Sequence, residues 1–293
     1  MNKKTLSIIG GDERFVAAAN LLCRLGIDVS VFGFSNEIVF DEKIWQCKNL
    51  TDAIGASKYI LLPLPCSSDN KTLNAPLYNE IILLSELSPL LIPSKTVLGG
   101  KINQEIQTIL KTKNIPFYDY FAREEFAILN AVPTAEGAIE IALREMLITL
   151  NGANCLVIGF GRIAKVLCHR LSGMGAFVTA SARKPADFAW IQAYGYTGIH
   201  TEELKEHLDS FQLIINTVPN VILNKDLLDR VDKNALIIDL ASKPGGVDFA
   251  YAKSLGLNVN WALALPGKVA PQSAGSIIYE TVLNILHESE VKV

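Results

Sequence analysis

The chain has 293 residues, 49% of them hydrophobic, and a formal net charge of −3. That length and apolar content suffice for two globular domains with separate cores, while the weakly acidic balance offers no basic field for a polyanion, so nucleic acid gives way to a small molecule as the expected partner. The basic pair at Lys3 and Lys4 is followed by no signal-peptide apolar region, and no run reaches the ~18 uncharged apolar residues of a membrane span, so the chain is expected in the cytosol. Cys23, Cys47, Cys66, Cys155 and Cys168 form no C-x-x-C pair and no metal-like spacing with the four histidines, so they are read as reduced, mostly buried thiols, with no metal site.

In chain order, residues 6–9 before Gly10-Gly11 are read as a strand and tight turn, 14–25 as a helix and 28–34 as a strand. Apolar runs follow at 59–64, broken by Pro63 and Pro65, and at 96–100, before a helix over about 101–112. Strand and helix alternating in this way imply a parallel sheet covered by helices. A long helix is expected over 133–150, with Thr134 as its N-cap and Asn151-Gly152 as its breaker; its apolar positions cover much of its circumference, as suits a connection between two domains. A second series then restarts, with strands at 155–158, 177–180, 213–216 and 236–239, a helix over 163–174, and a final helix over 274–287 that packs back on the first domain.

The sharpest motif follows the strand at 155–158: Gly159-Phe160-Gly161-Arg162-Ile163-Ala164 matches G-x-G-x-x-A and opens a helix. The first glycine makes the turn, Gly161 lets the backbone approach a pyrophosphate, and the helix N-terminus meets its charge. At the end of the next strand, where an acid would hold a ribose 2′-hydroxyl, the chain has Ser181, Arg183 and Lys184 and no acid before Asp187. A hydroxyl and two cations there favour a 2′-phosphate, hence NADP; the alternative is a solvated basic turn. The fold class is therefore α/β, two Rossmann-like domains with parallel sheets joined by a long helix, with a cleft between them. Residues 1–132 form the substrate and catalytic domain, 133–150 the joining helix, 151–272 the NADP-binding domain and 273–293 the returning helix.

Three strand-to-loop segments are expected to line the crevice: Asn216 to Pro219, Asp239 to Gly246, and Leu265 to Pro271. Thr217, Val218 and Pro219 would border the ribose and nicotinamide, with Ala241 and Pro266 on neighbouring loops. Lys243 and Lys268 are the cations placed to bind an acidic substrate or move a proton, against the reading that each is a solvated loop charge. In the first domain Gly10-Gly11-Asp12-Glu13-Arg14 reads as a substrate-side loop in which Arg14 faces a carboxylate, or in which Arg14 only caps a helix start. No histidine is assigned to catalysis.

These motifs together resemble the dipicolinate synthase A subunit family over nearly the whole chain: IGGD at 9–12 with Arg14, AVPTAEG at 131–137, GFGR at 159–162, Ala182-Arg183, TEELKEH at 201–207, NTVP at 216–219, DLASKPGG at 239–246 and LPGKVAP at 265–271. More distantly the layout is similar to D-2-hydroxyacid dehydrogenases, but the histidine those enzymes would place near Pro266-Gly267 is missing, which argues against their chemistry. The resemblance implies oxidation of a dihydrodipicolinate-type ring to pyridine-2,6-dicarboxylate, hydride passing to NADP+, during sporulation in the mother-cell cytoplasm. It implies a small dicarboxylate substrate and, for a partner, a flavoprotein-like B subunit, and the architecture is compatible with a homo-oligomer. Arg14, Lys243 and Lys268 are the candidate carboxylate anchors, Arg123 a weaker one, with hydroxyl contacts from Ser67 and Ser68. No residue stands out as the base. The alternatives are an NADP-dependent dehydrogenase of another small acid, and a non-catalytic nucleotide-binding scaffold for a flavoprotein partner.

Overall fold

A computed structural model of the protein describes residues 5–55 and 57–291, so the basic pair at Lys3 and Lys4 lies outside the described residues. The chain divides into two compact units, one comprising the residues up to Leu129 together with Ala270 onward, the other Asn130–Val269.

The first unit is built on six parallel strands: β1 (Thr5–Ile9), β2 (Asp28–Phe32), β3 (Trp45–Gln46), β4 (Tyr59–Leu61), β5 (Thr96–Gly99) and β6 (Phe117–Asp119), in the spatial order β3-β2-β1-β4-β5-β6. The second repeats the plan with β7 (Asn154–Ile158), β8 (Phe177–Ala182), β9 (Thr197–His200), β10 (Leu213–Asn216), β11 (Leu236–Asp239) and β12 (Asn258–Trp261), in the order β12-β11-β10-β7-β8-β9. Read from its first strand outward, each sheet has the doubly wound arrangement, in which ligands bind outside the carboxyl ends of the strands where the winding reverses. The central strands carry the burial. Leu156, Val157, Ile158, Leu213, Ile214, Ile215, Ile237 and Ile238 are all fully buried, because helices cover both faces of a parallel sheet.

In the first unit the helix Pro271–Val291 lies against the helix Glu13–Arg24 so closely that a Cβ on Gly275 would stand 2.5 Å from the Arg14 carbonyl oxygen and 2.6 Å from Ala17 Cβ. Ile277, Ile278, Val282, Ile285 and Leu286 complete the core of that unit with Phe15, Ala18 and Leu22. The returning helix therefore starts three residues before, and ends four residues after, the 274–287 span read from periodicity.

The long helix departs further from its expected limits. It runs Glu124–Glu145, not 133–150, with Pro133 in its interior. Glu124 and Glu125 in the first turn favour the earlier start, and Ala127 N–H already donates to the Arg123 carbonyl at 3.0 Å. Thr134 is no N-cap: its hydroxyl donates back to the Asn130 carbonyl at 2.7 Å, the bond of a residue inside a helix. This helix is long and apolar enough to cross a membrane by length and composition alone, but half of the qualifying stretch is buried inside the protein. Phe126 joins the core of the first unit, and Ala135, Ala138, Ile139 and Ala142 join that of the second.

Candidate nucleotide site

The strand β7 delivers the chain into the turn at Gly159, where φ is +93°. A side chain there is excluded twice over: the backbone angle disfavours it, and a Cβ would stand 2.8 Å from both Thr217 Oγ1 and Val218 Cγ2. Gly159 N–H donates to the Ser181 carbonyl at 3.0 Å and Thr217 Oγ1 donates to the Ile158 carbonyl at 2.9 Å, so the ends of β7, β8 and β10 are tied together. The helix Arg162–Gly173 then begins with Gly161 as its N-cap and no side-chain cap.

Gly161 differs from Gly159. Its Cβ position meets nothing within 4 Å, in front of the uncapped first turn of the helix. Open space before uncapped N–H groups is what a dinucleotide pyrophosphate requires. The groove outside these strand ends has a volume of about 470 Å³ and is lined by Gly159, Phe160, Gly161 and Arg162, by Arg183 and Lys184, and by Thr217, Val218 and Pro219. The residues present therefore fit a nicotinamide dinucleotide.

Five groove residues were not assigned to the site from the sequence: Ala182 and Asp187 beside the cations, and three more. Lys165 lines the wall four residues past Gly161, with Nζ 5.7 Å from the Phe160 ring centre and 5.8 Å from that of Trp190. The backbone bond from Lys165 N–H to the Gly161 carbonyl marks it as the residue one turn beyond the glycine, a spacing that could have identified it. Thr201, at the end of β9, also lines the groove and donates to the Ala182 carbonyl at 3.2 Å; no strand was read there. Ile222 is the third.

Ser181 does not present its hydroxyl to the groove. It is fully buried, with Oγ 3.4 Å from Gly159 N, because β8 continues to Ala182 and Ser181 falls on a covered face of the sheet. The cations beside the expected ribose position are Arg183 and Lys184, both exposed, and Asp187 lines the same groove. Ile163 is half-buried in the first turn of the helix and packs on the core of the unit.

The other candidates lie elsewhere. Ala241 is buried, its N–H donating to Asp239 Oδ1 at 3.1 Å and its carbonyl accepting from Trp261 Nε1 at 2.9 Å. Lys243 is exposed on the loop after β11. The Leu265 to Pro271 segment is not an open loop: Leu265–Val269 forms a short helix, in which Pro266 is buried. Lys268 lines a separate groove with Glu140, Arg144, Asn260 and Trp261.

In the first unit Arg14 is engaged from both sides. Its guanidinium makes a two-pronged pair with Asp12 at 2.8–3.1 Å and donates to the Leu64 carbonyl at 2.6 Å. Asp12 also caps the helix through Arg14 N–H. Ser67 is buried and donates to Asp69 Oδ1 at 3.2 Å, while Ser68 is exposed. Asp69 collects the Thr72 and Lys71 N–H groups, the Thr72 hydroxyl and the Ser67 hydroxyl, which together hold its carboxyl far below the ordinary range. Arg123 is bound by Glu288 at 2.6 and 2.8 Å and by Glu125 at 2.7 Å, which raises its pKa. The glycine turn of this unit is also covered by its own chain: Gly11 N–H donates to the Asn74 carbonyl at 3.0 Å, and a Cβ on Gly10 would stand 3.0 Å from Ala75 Cβ. The second unit, whose turn is open, is thus the one shaped for a dinucleotide. Among the described residues no group of His, Cys, Asp or Glu has the arrangement of a metal site.

Comparison with known proteins agrees with this division. Residues 5–121 match the family model of the N-terminal domain of the dipicolinate synthase A subunit, and residues 146–252 match a family model for putative NAD(P) binding. The chain is 31% identical over 288 residues to the dipicolinate synthase A subunit of Bacillus subtilis (strain 168), covering 98% of this chain and 97% of that protein. It is similar to the crystal structure of the dipicolinate synthase A chain from Bacillus subtilis, with a TM-score of 0.90, 30% identity and coverage of 100% and 99%. It is likewise similar to the crystal structure of the A subunit from Bacillus halodurans, with a TM-score of 0.89, 28% identity and coverage of 97% of each chain.

Proposed function

Because this chain belongs to the dipicolinate synthase A subunit family, we propose that it oxidises a dihydrodipicolinate-type ring to pyridine-2,6-dicarboxylate with NADP+ as the hydride acceptor. The observation that carries the reading is the Gly161 cradle with its cationic rim: space for a pyrophosphate at an uncapped helix start, with Arg183 and Lys184 beyond the next strand and no acid in sequence before Asp187.

Bound there, the nicotinamide supplies the two-electron sink: the ring loses a hydride to it and a proton to a base, and becomes aromatic. The chain's own residues bind and orient. The N–H groups at the start of the helix Arg162–Gly173 would receive the pyrophosphate, and Arg183 and Lys184, on the same groove, would hold the 2′-phosphate as charge-assisted donors. Thr217 to Pro219, which line the groove, would border the nicotinamide ribose. Lys243, exposed on the loop after β11, is the cation assigned to a substrate carboxylate, whereas Lys268 lines a separate groove and is set aside. Arg14 is paired with Asp12 and the Leu64 carbonyl through Nε and Nη2, so any part it takes in anchoring a carboxylate falls to its Nη1 edge.

By family membership the reading places the reaction in the mother-cell cytoplasm during sporulation, in partnership with a flavoprotein-like B subunit. It is tested by mixing NADP+ and the dihydrodipicolinate-type intermediate with the purified chain, alone and with its B partner, and following NADPH formation. Stoichiometric NADPH and dipicolinate are expected in at least one mixture; dipicolinate formed with NADP+ untouched would refute the hydride assignment.

A further inference from the structure

Asn216 and Asp239 end β10 and β11 side by side, paired in register, and neither has any exposed surface. Among the described residues every hydrogen-bond partner of the Asp239 carboxylate is an N–H: Asn216 Nδ2 donates to Oδ1 at 2.8 Å, Ala241 N to Oδ1 at 3.1 Å and Gly246 N to Oδ2 at 2.7 Å.

The Asn216 amide is fixed in its turn. Val218 N–H donates to Asn216 Oδ1 at 3.2 Å, and Nδ2 donates to the Val218 carbonyl at 3.0 Å as well as to Asp239. Flipping the amide would set donor against donor and acceptor against acceptor. Asn216 therefore closes the turn that carries Thr217, Val218 and Pro219 into the groove.

On its other side the carboxylate holds Gly246, whose carbonyl accepts from both Ile222 N and Leu223 N at 3.0 Å, and Ile222 is itself a groove residue. The packing leaves no slack. A Cβ on Gly246 would overlap Asn216 Nδ2 and stand 2.8 Å from the Val218 carbonyl oxygen.

We propose that Asp239 is a positioning residue for the nucleotide groove: from one buried point it sets the Thr217 to Pro219 wall, the Ile222 backbone, and the loop that carries Ser242 and Lys243. The proposal deepens the reading of this groove as an NADP(H) site and rests on it. Asp239 touches no ligand in this account and acts only through Asn216 and Gly246. An amide at this position would necessarily turn a donor toward an N–H that now has an acceptor, either that of Gly246 or those of Asn216 and Ala241.

The experiment compares Asp239→Asn with the wild-type chain in binding NADPH and adenosine 2′,5′-bisphosphate. The latter engages the Gly161 and Arg183 end of the groove and lacks the half that meets the Thr217 to Pro219 wall. NADPH is expected to weaken by about tenfold or more, as for loss of an outer-shell orienting group, while the bisphosphate stays within about twofold of the wild type, each tenfold step being about 1.4 kcal/mol. Equal weakening of both ligands would mean that Asp239 merely stabilises the unit, and unchanged NADPH binding would mean that it positions nothing; either result overturns the proposal. Should Asp239→Asn fail to fold, Asn216→Ser, which keeps the carboxylate and its two backbone donors, is put to the same comparison with the same expected split. A wild-type chain that binds neither ligand would instead remove the nucleotide reading, and this proposal with it.

Discussion

Replacing Gly161 with valine separates ligand binding from folding, and the structure sets the size of both effects. Gly161 has φ of −82°, which any residue adopts, and the position of its missing Cβ meets nothing within 4 Å. The fold therefore loses only part of the helix start. Glycine is the better N-cap by about 0.5–1 kcal/mol, and restricting the unfolded chain returns about 0.4–1 kcal/mol. The net change is expected within about 1 kcal/mol, or about 2–4 °C in the melting temperature for a unit of this size. Binding should suffer far more, because the added carbons stand where the pyrophosphate must approach the backbone. A loss of at least about 100-fold in NADPH affinity, about 2.7 kcal/mol, is expected. The assay is calorimetric titration of NADPH beside a thermal melt of the same sample. Unchanged affinity with an intact melt would refute the site, and collapse of the fold would refute the argument from open space. Gly159 cannot serve for this test, since its positive φ and the contact with Thr217 make any substitution there structural.

Arg183→Ala combined with Lys184→Ala should weaken NADPH by at least about tenfold and NADH by less than about twofold, as loss of charge-assisted contacts to one phosphate requires; equal losses in parallel titrations would contradict the 2′-phosphate role. Burial pushes the thiols of Cys66, Cys155 and Cys168 up to about 12, so at pH 8 they stay protonated and covered, and a thiol reagent should modify the half-exposed Cys47 first and these three only on unfolding. Mass spectrometry of the singly modified protein checks the order. Asp69 has a carboxyl held below its usual value, first by the Thr72 N–H and then by that of Lys71, so its contribution is complete above the unfolded carboxylate range, about pH 4, and is lost as pH falls toward its lower folded value. Melting temperatures from pH 7 to pH 3 should fall less steeply for Asp69→Asn than for the wild type; identical slopes would show that this turn does not govern acid stability.

What the sequence made legible follows burial. Strands β10 and β11 were readable to the residue because a strand covered on both faces is a continuous apolar run bounded by turn residues. The edge strands β3, β6, β9 and β12 escaped notice: Trp45-Gln46 and Phe117 to Asp119 are too short, and the Thr197 to His200 and Asn258 to Trp261 segments mix polar and apolar residues without a clean period. Missing β9 also hid Thr201. The long helix was misplaced because Pro133 and Thr134 look like a helix start, whereas the helix had already formed nine residues earlier and absorbed both. The glycine turn and the basic pair after β8 carry their chemistry in local sequence, so the groove they line was visible at once. Burial of Ser181 and the pairing of Arg14 with Asp12 depend on partners brought in by the fold, and residue type alone could not foretell them.

The central claim, that this is a redox protein working with NADP(H) on a pyridine dicarboxylate, is tested most directly by calorimetric titration of the purified chain with NADPH and with NADH, each in the absence and presence of dipicolinate. The account predicts that NADPH binds more tightly than NADH and that dipicolinate strengthens NADPH binding, the reciprocal coupling expected when cofactor and ring meet in one site. Absence of nucleotide binding under all four conditions would contradict it, and would favour the non-catalytic scaffold reading instead.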